Sequence, residues 1–84
     1  MALVFSRDAV RALLAMPRKD AERLRERLDA IAAAPADRHP AVEAMQGKPP
    51  GRFRVRQGDW RAVFRIDDAD VVVERIGNRR EVYR

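Results

Sequence analysis

Five arginines crowd one stretch of this chain, Arg52-Phe53-Arg54-Val55-Arg56-Gln57-Gly58-Asp59-Trp60-Arg61-Ala62-Val63-Phe64-Arg65. Guanidinium groups stay charged at physiological pH and match phosphate oxygens in a planar fork, so such a cluster suits phosphate binding and the stabilisation of charge developing on phosphorus. The remaining inventory narrows the chemistry. There is no cysteine and no threonine, and Ser6, the only serine, is placed as a helix cap; hydroxyl and thiol nucleophiles are thereby set aside. His39 is the only histidine and falls in a proline-rich loop, where it reads as a solvated residue. The carboxylates are scattered, without the pairing of a glycosidase or the clustering of a metal site, so neither a metal nor an organic cofactor is expected. A substrate that brings its own nucleophile fits this inventory. In RNA the 2′-hydroxyl can attack the neighbouring phosphate, and the protein need only orient the strand, neutralise the phosphate and move protons.

The arginines have to be held in register, and the sequence shows how. Residues alternate on both sides of Gly58-Asp59, the signature of two antiparallel strands joined by a tight hairpin. With those two residues as the loop, Gln57 faces Trp60, Arg56 faces Arg61, Arg54 faces Val63 and Arg52 faces Arg65. One face then carries Phe53, Val55, Trp60, Ala62, Phe64 and Ile66, and the other carries the five arginines. Opposed like charges destabilise a sheet. A bound anion would supply the missing reason for them.

Around the hairpin, Ala2-Leu3-Val4-Phe5 reads as a first strand. Ser6 caps a helix from Arg7 to about Met16, with Asp8 in its first turn and Pro17 ending it. A second helix from about Arg18 to Ala33 buries Ala21, Leu24, Leu28 and Ile31, and the two helices form a hairpin. Residues 34–51 are loop, with Ala41–Met45 expected as a helical turn and Met45 tucked onto the core. After an acidic turn at Asp67-Asp68-Ala69-Asp70, the run Val71-Val72-Val73-Glu74-Arg75-Ile76 reads as a strand interior to the sheet. Eighty-four residues are expected to make one domain spanning 1–84, with a modest core and an open site. The net charge of +5 favours a polyanionic partner, nucleic acid first. Ser6, Arg7, Asp8 and Arg11 interrupt the start, so neither a signal segment nor a membrane span is expected, and a cytoplasmic location is the default.

The residues Arg54-Val55-Arg56-Gln57-Gly58-Asp59-Trp60-Arg61-Ala62-Val63-Phe64, the valine-rich strand after them and Asn78-Arg79-Arg80-Glu81-Val82-Tyr83 resemble the RelE/ParE superfamily of bacterial type II toxins, and most closely its RelE branch. The leading strand, the helical hairpin with its Pro17 break and Met45-Gln46-Gly47 fit in order, so the resemblance spans nearly the whole chain. It implies an α+β, RelE-like fold, in which an N-terminal strand and a helical hairpin pack on a mostly antiparallel sheet of about four strands. It also implies an activity: metal-independent endoribonuclease cleavage of mRNA in the ribosomal A site (an mRNA interferase), which inhibits translation and is restrained by a cognate antitoxin protein. Carried over position by position, the catalytic residues fall on Arg61, Arg79 and Tyr83, and the RNA phosphate clamp on Arg54 and Arg56; Arg52, beside them on the same face, is expected to bind RNA phosphate as well. Arg54 and Arg56 stand where better-studied members have lysines, and Asn78 where many have histidine. Arginine holds charge but hardly donates a proton. Two other readings stay open: a ParE-like poison that inhibits DNA gyrase by binding alone, and an inactive toxin-like module.

Overall fold

The computed structural model describes residues 2–33, 38–47 and 50–78. The described elements are β1 (Ala2–Phe5), α1 (Arg7–Ala15), α2 (Arg18–Ala33), β2 (Val42–Ala44), β3 (Arg52–Gln57), β4 (Trp60–Asp67) and β5 (Asp70–Asn78). The strands form one sheet in the order β1-β5-β4-β3-β2, with β1 parallel to β5 and the other neighbours antiparallel. Both helices contribute apolar side chains to one face of this sheet. There Leu24, Leu28 and Ile31 of α2 and Ala9 of α1 join Val55, Ala62, Phe64, Val71 and Val73 in a fully buried cluster. Phe53 stacks on Phe64 with ring centroids 5.4 Å apart. Removing the Phe64 ring would cost about 3–5 kcal/mol, a large part of what a small domain has.

The helical hairpin and the central β-hairpin form as the patterns dictate. Met16 sits at ψ 154, the extended conformation that a following proline imposes, which ends α1 before Pro17. Gly58 has φ 60, and Asp59 is not in the left-handed region, so the loop has the positive angle at its first position that a type II′ turn needs. The register is the expected one, pairing Arg52 with Arg65, Arg54 with Val63, Arg56 with Arg61 and Gln57 with Trp60. The three valines are interior, as β5 lies between β1 and β4. Trp60 then pins the hairpin to the helices, its indole Nε1 donating to Asp20 Oδ2 at 3.1 Å.

Two features depart from the sequence reading. The sheet has five strands rather than about four, because Val42–Ala44 pairs with Phe53–Val55 instead of making a helical turn. The Met45 N–H extends the ladder to the Arg52 carbonyl at 2.9 Å. Unpaired N–H and C=O groups along the edge of β3 outweigh the weak local preference of so short a segment. The second feature is a bulge in β5: Val63 pairs with Arg75 but Phe64 pairs with Val73, which leaves Glu74 as the extra residue. Val73 and Ile76 are buried in the core, so Glu74 and Arg75 between them both emerge on the arginine side.

Ser6 holds this bulge. Its N–H donates to the Val73 carbonyl at 2.8 Å and its Oγ donates to the Glu74 carbonyl at 2.7 Å, while the same Oγ accepts from the Ala9 N–H and caps α1. Ser6→Ala removes the cap and leaves the Glu74 carbonyl unsatisfied, so it should lower stability by about 1–2 kcal/mol in urea unfolding. A change below about 0.3 kcal/mol would show that the bulge is held without it.

Candidate functional site

The face of the sheet opposite the helices carries the arginines in two cross-strand rows. In one, Arg52 of β3 lies opposite Arg65 of β4. In the other, nearer the hairpin loop, Arg56 lies opposite Arg61, which in turn lies opposite Gly77. Between the rows stand Arg54, Val63 and Arg75 on three adjacent strands.

Carboxylates inside the protein neutralise most of the first row, which supplies a reason for the crowding that the sequence alone does not. The Arg52 guanidinium grips Glu74 in a two-pronged pair, Nε to Oε1 and Nη2 to Oε2 at 3.2 Å, and the Arg65 Nε lies 3.4 Å from the same carboxylate. These groups are half-buried, with side-chain exposures of 24% for Arg52 and 29% for Glu74, so this pairing is stronger than that of a surface ion pair. Arg65 also donates to Asp67 at 2.9 Å. That hydrogen bond, with smaller help from the charges of Asp67 and Glu74, raises the Arg65 pKa and keeps it cationic. Arg54 is paired with Glu43, its direct partner across β2–β3, at 2.7 Å. The hydrogen bond from Arg54, then its charge, with a smaller contribution from Arg56, holds the Glu43 carboxyl below the ordinary carboxylate range. Glu43 therefore remains an anion at pH 7, and its contribution is lost only as pH falls through that lowered value.

The second row is different. Arg61 donates from Nη1 to the carbonyls of Gly58 at 2.9 Å and Trp60 at 3.0 Å, which fixes the guanidinium against the hairpin loop. Neither Arg56 nor Arg61 has a carboxylate partner among the described residues, and exposed Arg75 likewise has none. A phosphate approaching this end meets cations that form no ion pair among the described residues. Arg61, fixed in this way and without an ion-pair partner among the described residues, can take up charge that develops during a reaction without reorganising.

The structure thus brings together four of the six residues singled out from sequence, Arg52, Arg54, Arg56 and Arg61, on one face. Arg79 and Tyr83 lie outside the described residues. β5 ends at Asn78, which pairs with Trp60 one step from the Arg61–Gly77 pair, so the described chain finishes at the Arg56–Arg61 end. His39 is half-buried, and its Nδ1 accepts from the Ala41 N–H at 3.0 Å. No group of potential metal ligands is found among the described residues. Sequence reasoning did not single out Glu43, Glu74 and Arg75. Consecutive charges at Glu74-Arg75 within an apolar strand are the signal for a bulge; Glu43 gives none, because its role depends on β2 being a strand.

Removing the Glu43 charge tests whether the face is selective through its internal counterions. Glu43→Gln removes the carboxylate charge paired with Arg54 and should tighten binding of a single-stranded RNA by a few-fold, at most about fivefold given how little exposed pairs contribute. Weaker binding in a fluorescence anisotropy titration would contradict this.

Comparison with known proteins places the fold. The family model for the ParE toxin of type II toxin–antitoxin systems (parDE) matches residues 3–83. No curated protein matches the chain in sequence. Among solved structures, the chain is similar to one in the toxin–antitoxin complex RelBE2 from Mycobacterium tuberculosis, with 24% identity and a TM-score of 0.77 over 92% of this chain and 88% of that one. It is similar to the isolated RelE toxin of E. coli, with 21% identity and a TM-score of 0.77 over 92% and 82% of the two chains. The YoeB–YefM complex from Staphylococcus aureus matches at 18% identity, with a TM-score of 0.75 over 90% and 93%.

Proposed function

This chain belongs to the ParE toxin family of type II toxin–antitoxin systems, within the RelE/ParE superfamily, and we propose that it is a toxin that cleaves mRNA in the ribosomal A site. The observation that carries this reading is the Arg56–Arg61 pair, two directly opposed cations with no carboxylate partner among the described residues, on a face whose other paired arginines are countered from within. In the reaction the RNA 2′-oxygen forms a bond to the adjacent phosphorus and the bond from phosphorus to the 5′-oxygen breaks. The departing 5′-oxygen takes a proton from water, so the products are a 2′,3′-cyclic phosphate and a 5′-hydroxyl. Arg61 neutralises the phosphate as it gains charge, Arg56 and Arg54 hold it, and Arg79 adds a further cation. Arg52, gripped by Glu74, serves mainly to set the position of its neighbours. Tyr83 is the residue of this set that can exchange a proton, taking one from the 2′-hydroxyl or aligning the base by stacking.

The partner that restrains the toxin is a cognate antitoxin, expected to present an acidic segment to the arginine face. The setting is the cytoplasm, where ribosomes and message meet; no helix among the described residues is long and apolar enough to cross a membrane. A second reading, inhibition of DNA gyrase by binding, is favoured by the ParE family match and by Arg54, Arg56 and Asn78, which leave few proton carriers. Inducing the protein in a bacterial host, mapping 5′ ends of cellular RNA and assaying gyrase supercoiling separates the two. New 5′ ends within translated messages support cleavage. Loss of supercoiling with intact RNA supports the gyrase reading, and neither effect marks an inactive module.

A further inference from the structure

A second basic feature lies around the corner from the arginine face. An open cleft of about 580 Å³ runs between α2 and the segment leading into β2, lined by Arg23, Glu26, Arg27, His39, Ala41 and Gln57 among others. Arg23 and Arg27 are four residues apart on α2 and so share one side of the helix. Neither has an ion-pair partner among the described residues. His39 Nδ1 is occupied by the Ala41 N–H, and the imidazole ring is part of the cleft lining. Gln57 adds an amide, and Glu26 is the one carboxylate among the described lining residues.

The cleft lies beside the site, round the β2 edge on the helix side of the sheet. Val42 pairs with Val55 and Glu43 with Arg54, so Ala41 is the next residue out, abreast of Arg56, and Gln57 follows Arg56 on β3. The row Arg61–Arg56 therefore runs across the sheet toward the β2 edge, and the cleft lies round that edge, with Gln57, the neighbour of Arg56, among its lining residues. We propose that this cleft, with Arg23 and Arg27 as phosphate contacts and His39 and Gln57 as polar contacts, is a second RNA subsite that holds single-stranded nucleotides continuing from the Arg56–Arg61 row. The inference rests on the reading of the arginine face as the RNA site. Two separated points of attachment would fix the direction of the strand, and with it which phosphate lies at Arg61.

The test compares the parent, the double variant Arg23→Gln/Arg27→Gln, Glu26→Gln and Arg61→Gln for binding of a short and a long single-stranded RNA over a range of salt. All the substituted positions are outside the core, and glutamine is a good helix former, so folding should be kept; thermal melts verify it. The parent should bind the long RNA more tightly than the short one. The double variant should lose that advantage, with a salt slope for the long RNA shallower by about 1.4, two phosphate contacts at about 0.7 each. That difference in slope widens the gap between parent and variant about sevenfold from about 200 to about 50 mM salt. Glu26→Gln should move affinity in the opposite direction. If Arg61→Gln weakens both RNAs while the double variant matches the parent in affinity and slope, the cleft is not a subsite, though the arginine face still is. If the double variant loses the length advantage while Arg61→Gln binds both as the parent does, the cleft stands and the reading of the arginine face fails. No length advantage in the parent overturns the inference outright.

Discussion

Arg61→Ala is expected to abolish growth arrest while leaving the fold and antitoxin binding intact. The guanidinium is anchored by one nitrogen to the Gly58 and Trp60 carbonyls, so it is held in place before any substrate arrives and pays little to be ordered. It also has no carboxylate to give up among the described residues, unlike Arg52, Arg54 and Arg65. Loss of one such donor commonly removes on the order of 3 kcal/mol of transition-state stabilisation, about two orders of magnitude in rate. Its two hydrogen bonds share one nitrogen and go to the exposed hairpin loop and to the part-buried first residue of β4, so the effect on stability should stay at about 1 kcal/mol. An Arg61→Ala protein that is fully toxic at equal expression would remove Arg61 from the reacting centre.

Tyr83 is expected to matter as much, and two substitutions divide its possible roles. A phenol is ordinarily protonated at neutral pH, so as a base it needs neighbouring positive charge to favour the phenolate. If Tyr83 takes the 2′-hydroxyl proton, Tyr83→Phe should slow single-turnover cleavage by roughly two orders of magnitude with RNA binding unchanged. If it aligns a base by stacking, Tyr83→Phe should be nearly silent, and Tyr83→Ala should cleave slowly. Tyr83→Ala cleaving as fast as the parent would assign this residue to packing.

The parts of this protein that follow local rules were legible in its sequence. Gly58-Asp59 between alternating residues fixed the pairing of Arg56 with Arg61 to the residue, because a side-chain period of two tolerates no slip. Ser6 and Pro17 marked the bounds of α1. Non-local features were not legible. β2 exists because the edge of β3 has hydrogen bonds to satisfy, and nothing within Val42–Ala44 announces that. The bulge at Glu74 turns two successive side chains to one face, and only the pairing of β4 with β5 reveals which residue is extra. Together these two features place Glu43 and Glu74 among the arginines. The face that composition suggests is uniformly cationic is therefore graded, neutralised at the Arg52–Arg65 end and cationic at the Arg56–Arg61 end.

The most direct measurement of the central claim is the end chemistry of RNA exposed to the purified toxin on ribosomes carrying a message with an empty A site. Attack by the 2′-hydroxyl, assisted by side chains alone, predicts a cut within the A-site codon that leaves a 2′,3′-cyclic phosphate and a 5′-hydroxyl, and a cut that Arg61→Ala slows about a hundredfold. Intact message under these conditions, or fragments bearing a 5′-phosphate, would contradict the account.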